Sequence, residues 1–288
     1  FPSMVRINYT VSNLEQMMGE PPLEQSTAAF TGENHDIQFE DVSFAYKETQ
    51  VLHGINLYIP EGSLTALVGE SGSGKSTLAR LLVHFYDVGG GAVKIGGQDI
   101  RHMSLESLNN QISYVAQEQF LFNMSLLENI RLGKSDATDE EVMAAAEKAQ
   151  CGEFLARLEK GIHTMAGDGG KQLSGGERQR ISLARAILKN APIVVLDEAT
   201  AFMDPENEEK MNEAIAEVIQ DKTVIVIAHR LHSIVNADQI CVLDAGNLIS
   251  AGTHEELLAT CLPYQKLWQA AESSSLWKVS AEKGGETI

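Results

Sequence analysis

An α/β fold built on a mostly parallel sheet is the class this sequence predicts, and three observations carry the prediction. Short apolar strand patterns alternate with amphipathic helical ones along much of the chain, as they do when helical crossovers join parallel strands. The run Ile193, Val194, Val195, Leu196 is apolar at every position, which suits a strand covered on both faces. A glycine-rich turn separates an apolar strand pattern from a helical one within residues 64–85, giving a strand, loop, helix unit. With 288 residues, 43% of them hydrophobic, the chain is long enough for one large domain or two small ones around a real core.

The elements follow in order. Residues 10–18 suit a short helix, stopped by Gly19, Pro21 and Pro22, and a polar linker runs to about residue 35. Residues 37–44 and 55–59 read as strands, the first from the alternation of Ile37 and Phe39, the second from its flanking by Pro60 and Gly62. Together they predict an antiparallel edge layer. Residues 64–68 form the strand before the glycine-rich turn, and Leu78, Leu81, Leu82 and Phe85 give residues 75–85 helical spacing. A hairpin is expected over 92–100, a strand over 112–115, and a mostly helical insertion over 126–188. Strand signals return at 193–196, 223–228, 239–243 and 248–250. Residues 273–288, rich in Ser, Lys and Glu, read as a frayed tail in which Trp277 is the candidate for docking.

Charge and cysteine usage narrow the function. With 22 basic side chains against 40 acidic ones, the formal charge is −18, and no basic stripe is available to neutralise a nucleic-acid backbone. Cys151, Cys241 and Cys261 are an odd count without metal-ligand or redox spacing, which argues against a disulfide framework and a structural zinc and for a reducing compartment. No apolar run approaches the roughly 18 to 20 residues that cross a bilayer. The chain opens on Phe1 without a basic-then-apolar leader, so it reads as a piece excised from something longer.

Three stretches carry chemistry. Gly69, Glu70, Ser71, Gly72, Ser73, Gly74, Lys75 and Ser76, followed by Thr77, satisfy the phosphate-loop pattern G-x-x-x-x-G-K-[ST]. The glycines let consecutive N–H groups turn inward as a nest for a β-phosphate at the positive end of the following helix. Lys75 is expected to reach the β- and γ-phosphates and the Ser76 hydroxyl to bind Mg2+. Second, the buried-strand pattern of 193–196 ends in Asp197 and Glu198. Asp197 arrives at the carboxyl end of a strand, where it can hold Mg2+ directly or through water, and Glu198 can polarise an attacking water. Third, Ser174, Gly175, Gly176 and Glu177 precede an amphipathic segment. Ser174 and Glu177 make a capping box, yet capping requires neither glycine. A helix start with Ser and Gly-Gly also suits phosphate, and a second phosphate site in one chain makes sense facing another molecule's nucleotide.

These motifs, in this order, resemble the nucleotide-binding domain of the ATP-binding cassette (ABC) transporters over residues 37–271. The resemblance implies a phosphate-loop NTPase core with an antiparallel β edge layer and a helical subdomain at about 117–190. It also implies ATP and Mg2+ as cofactors. Residue by residue, it gives Tyr46 the role of the aromatic stacked on adenine, where edge-strand packing is the plainer reading. Gln117 takes the place of the glutamine that contacts Mg2+ or water and senses the membrane domain. Asp204 matches the aspartate of the dimer-interface loop, and His229 the histidine that contacts the γ-phosphate. Residues 164–170 are similar to a segment that exporter-type cassettes place just before the signature. Residues 1–35, with Asn13, Leu14 and Glu15, look like the connector from a transmembrane domain, which places the cassette on the cytoplasmic face of a membrane, the fragment itself being soluble, and residues 272–288 like a flexible tail.

The implied partners are a transmembrane domain, its own or a related one, and a second cassette, in a homodimer or a heterodimer; nucleic acid is not among them. Two departures stand out. Ala201, Phe202, Met203 and Asp204 replace the usual S-A-L-D, a bulkier version similar to cassettes associated with siderophores. Glu177 stands where glutamine is commoner. A soluble ABC ATPase acting on DNA or ribosomes is the rival class, but its coiled-coil insertions, paired cassettes and basic surfaces have no counterpart here. A module that binds ATP without turnover is the other, and the intact Glu198 speaks against it.

Overall fold

The computed structural model describes Leu23 and residues 26–197, 205–228 and 230–283. The expected helix at residues 10–18 lies outside them.

Two sheets organise the chain. The first is antiparallel, in the order β2-β1-β4-β5. Its strands are β1 (Ile37–Tyr46), β2 (Thr49–Ile59), β4 (Gly90–Ile95) and β5 (Gln98–Asp99). Ile37 pairs with Ile59 on one side and Ile95 on the other, so the expected hairpin joins the edge layer rather than the parallel sheet. The second sheet contains β3 (Leu64–Val68), β6 (Ile112–Val115), β7 (Ile193–Asp197), β8 (Thr223–Ile227), β9 (Gln239–Asp244) and β10 (Asn247–Gly252). Its order is β10-β9-β3-β8-β7-β6, with all neighbours parallel except β10 on β9. All five residues of β7 are buried, whereas β10 alternates exposed and half-buried positions as an edge strand does.

The strand period of two divides the core. Val195, Ile225, Ile227 and Leu67 face the first sheet and the helix α1 (Lys75–Leu82), packing with Leu52, Leu78 and Leu81. Val194 and Leu196 face the other way, into the helical insertion. That insertion comprises α3 (Leu126–Arg131), α4 (Asp139–Lys148), α5 (Gly152–Arg157) and α6 (Gly175–Lys189), and it brings Leu126, Phe154 and Ile181 into the same cluster, together with Met211 of α7 (Pro205–Ile219). Each fully buried side chain of this size contributes about 1.5 to 3 kcal/mol, enough to weld the insertion to β7.

Two elements differ from expectation. A short helix α2 (Leu105–Gln111) precedes β6, started by Ser104, whose hydroxyl accepts from the Ser107 amide at 3.1 Å. At the other end, α8 (His254–Thr260) is followed by α9 (Leu262–Lys283), so residues 273–283 continue a helix where composition suggests a frayed tail. Tertiary anchoring starts that helix: Tyr264 is fully buried and its hydroxyl lies 2.8 Å from His254 Nδ1, while the Trp268 ring lies 4.6 Å from His254 and 4.7 Å from His232. No helix among the described residues is long and apolar enough to cross a membrane.

Candidate functional site

The glycine-rich loop leaves the carboxyl end of β3, an inner strand of the second sheet, and is wedged between two neighbours. A Cβ on Gly69 would lie 2.1 Å from the Leu243 carbonyl of β9, and one on Gly74 2.6 Å from Leu52 Cδ2 of β2. Both residues also have positive φ, +149° and +104°, so these two positions require glycine. The turn after β9 closes on the loop, the Gly246 amide donating to the Ser73 carbonyl at 3.2 Å. Gly74 caps α1 without a side-chain hydrogen bond, which leaves first-turn amides of the helix facing outward for an anion.

Lys75 is the first residue of α1 and only 5% exposed. Its Nζ donates to the Gly69 carbonyl at 2.9 Å, the Glu70 carbonyl at 2.8 Å and Ser73 Oγ at 3.2 Å. The ammonium thus lies back across the loop that would hold the phosphates, on neutral acceptors that a charged phosphate oxygen outcompetes. Ser71 and Gly72 form the exposed tip of the loop with Glu70 flanking, and Thr77 is buried in the first turn of α1.

Ser76 and Asp197, 121 residues apart, meet. Ser76 Oγ donates to Asp197 Oδ1 at 3.4 Å, and Tyr114 Oη, from β6, donates to Asp197 Oδ2 at 2.8 Å. Asp197 is 3% exposed, and its hydrogen-bond partners among the described residues are these two hydroxyls, neither of which carries a compensating positive charge. A carboxylate, a serine hydroxyl and a phosphate beside them are the hard oxygen donors that Mg2+ takes, so the residues present fit that ion. Burial, with the Asp197 charge adding to it, raises the Tyr114 phenol well above its ordinary range and keeps it a donor. Tyr114 is the site residue that sequence reasoning missed. The signal was a lone aromatic hydroxyl in a buried strand, meaningless until β6 was known to lie beside β7.

Gln117 stands exposed at the start of the loop after β6. The far end of that loop is clamped by Asn129, which is completely buried: the Phe122 amide donates to its Oδ1 at 2.9 Å and its Nδ2 donates to the Phe122 carbonyl at 3.0 Å. Arg185 of α6 adds donors to the Asn129 carbonyl at 2.7 Å and the Phe120 carbonyl at 3.0 Å, and burial lowers its guanidinium to about 10. Residues 164–166 lie along the same loop, the Leu126 amide donating to the Thr164 carbonyl and the Ala166 amide to the Met124 carbonyl, each at 3.0 Å.

Tyr46 closes β1 in an aromatic cluster, edge to face with Phe44 at 4.8 Å and with Tyr86 at 5.2 Å. The plainer packing role is therefore present. At the signature, the capping box forms: the Glu177 amide donates to Ser174 Oγ at 3.3 Å, and Glu177 Oε2 accepts from the Ser174 amide at 2.8 Å. Arg157 holds the other Glu177 oxygen at 2.9 Å. Among the described residues, a Cβ added to Gly175 or Gly176 would meet nothing within 4 Å, so none of them requires either glycine. Glu198, Asp204 and His229 lie outside the described residues.

The sequence profile of the family described as ABC transporter matches residues 52–201, from β2 through the phosphate loop and the signature to just past β7. The mycobactin import ATP-binding/permease protein IrtA of Mycolicibacterium smegmatis is 45% identical over 253 residues, covering 88% of this chain and 29% of that protein. The ATP-dependent lipid A-core flippase of Desulfotalea psychrophila is 42% identical over 260 residues, covering 90% of this chain and 45% of the flippase. Among solved structures, a bacterial Atm1-family ABC exporter with ATP bound superposes with a TM-score of 0.83 at 38% identity, over 90% of this chain and 46% of the exporter. This chain thus spans less than half the length of each of these relatives. A profile match over more than half of the residues, on a fold whose phosphate loop and strand-end aspartate converge, establishes that the chain belongs to the ABC transporter family and is its ATP-binding ATPase domain.

Proposed function

We propose that this domain binds ATP with Mg2+ and closes head to tail on a second cassette, its own copy or a related one, to drive substrate movement through a transmembrane domain on whose cytoplasmic side it sits. One observation carries the reading: the cradle of Lys75 at the bare start of α1 lies beside the Ser76–Asp197 pair, a cation and a metal-binding couple at one phosphate. Mg2+, when bound, offsets charge on the phosphate oxygens. Lys75 holds the β- and γ-phosphates, Ser76, Asp197 and Gln117 hold the metal, Glu198 polarises the attacking water and His229 keeps the γ-phosphate in line. Open space before Gly175 and Gly176 supports a signature that serves the facing chain's nucleotide, with Ser174 as its hydroxyl contact and Asp204 at the same interface.

Two outcomes test this. Gly176→Tyr meets open space among the described residues and should leave the fold and the chain's own ATP affinity intact while abolishing turnover; turnover equal to wild type would remove the shared site. Activity per chain should also rise with chain concentration, because the isolated domain is monomeric until ATP joins two copies.

Tyr46 should stack on adenine once nucleotide enters. Tyr46→Ala is expected to weaken ATP binding by about 1 to 3 kcal/mol, with Tyr46→Phe and Tyr46→Trp near wild type, read by titration calorimetry; equal affinity in all three would leave Tyr46 its packing role alone. Cargo and direction are selected in the transmembrane domain. Phe202 and Met203 before Asp204, with the similarity to a mycobactin importer, favour a siderophore-related cargo and leave import on an exporter scaffold open.

A further inference from the structure

Within the site just described, one contact has no role in the scheme. Tyr114 pairs with Val195 across β6 and β7, and Asp197 lies two residues beyond Val195 on the same face, about 6.6 Å along the strand at the usual rise. A tyrosine side chain spans that gap and puts its hydroxyl, the donor, on Asp197 Oδ2 at 2.8 Å. Ser76 reaches the other oxygen at a longer 3.4 Å. The carboxylate is therefore held firmly by one oxygen and loosely by the other, and the loose oxygen faces the residue expected to bind the metal.

The ring that makes the firm contact is itself held. Phe85, just beyond the end of α1, packs edge to face on Tyr114 at 5.8 Å. Ser76 begins the same helix. A closed circuit results: Ser76 is part of α1, the Phe85 amide donates to the Arg80 carbonyl of that helix at 3.0 Å, Phe85 packs on Tyr114, and Tyr114 and Ser76 meet at Asp197. The terminal torsion of an aspartate is broad and roughly twofold, so a carboxylate without such a tether samples orientations that do not serve a metal. We infer that Tyr114 is a positioning residue for the metal carboxylate, its phenol fixing Asp197 Oδ2 so that Oδ1 stays turned toward Ser76 and the Mg2+ position.

This inference rests on the proposed metal role of Asp197, and the test separates the two. ATP affinity of the chain is measured by calorimetry with EDTA and again with excess Mg2+, for wild type, Tyr114→Phe and Asp197→Asn, alongside thermal unfolding. Tyr114→Phe keeps the ring and its Phe85 contact and removes one oxygen. It should leave affinity in EDTA and the unfolding temperature unchanged and reduce the gain in affinity that Mg2+ brings by about tenfold, the usual cost of losing a partner that orients a metal ligand. Asp197→Asn should reduce that gain at least as far. A Mg2+-dependent gain that survives Tyr114→Phe but is lost in Asp197→Asn overturns the positioning role alone. A gain that survives both overturns the metal site as well. Equal losses with and without Mg2+ in Tyr114→Phe mean a general packing role and likewise overturn the inference.

Discussion

Lys75→Ala is expected to lower ATP affinity on the order of a hundredfold, measured by calorimetric titration with Mg2+ present. The amine is nearly buried and already shares the loop mouth with the Gly69 and Glu70 carbonyls. When phosphates arrive, it exchanges those neutral acceptors for charged oxygens, and hydrogen bonds to charged groups contribute about 1.5 to 3 kcal/mol each. Two such bonds give about 3 kcal/mol after the carbonyl contacts are given up, which is the stated factor. Because the backbone nest and Gly69, Gly72 and Gly74 remain, binding should weaken rather than vanish. Unchanged affinity would show that the cradle around Lys75 is not where the phosphates sit.

Glu198→Gln should show the opposite pattern, with ATP affinity kept and single-turnover hydrolysis slowed about 10²- to 10⁴-fold, the range that a positioned general base supplies. The substitution preserves size and hydrogen-bonding reach and removes only the negative charge that is proposed to polarise water. With hydrolysis slowed, the chain with Mg2+ and ATP should elute from gel filtration at twice the mass it has without nucleotide. Turnover near wild type would dismiss Glu198 as the base. Turnover retained in both Lys75→Ala and Glu198→Gln would dismiss the ATPase scheme as a whole.

Local physics explains which parts of the site were legible beforehand. The phosphate loop is contiguous, and its constraints are near neighbours: positive φ at the glycines and a helix start immediately after them. The strand that presents Asp197 is likewise readable, because burial on both faces demands an unbroken apolar run. The capping box at Ser174 and Glu177 needs only residues three apart. The tail is the counterexample. Residues 273–283 have the composition of a frayed end, and they are helical because α9 is seeded upstream, where Tyr264 and Trp268 dock against His254 and His232. Docking at one end of a helix lowers the cost of extending it, since nucleation is the expensive step.

A run of a few residues, whose backbone and burial requirements are local, is enough to encode most of the elements, the phosphate loop, the carboxylate at the end of β7 and the family they belong to; helix α2 and the helical tail were not legible in that way. The tertiary structure alone decided the order β10-β9-β3-β8-β7-β6 and the division of the strands into two sheets. It alone brought Ser76 to Asp197 across 121 residues and placed the Tyr114 hydroxyl on the same carboxylate. Strand order depends on how helices cross between strands and on which apolar faces find each other, free energies spread over the whole core rather than stored in any one segment. A hydroxyl in β6 acquires its chemistry only from the strand that comes to lie beside it.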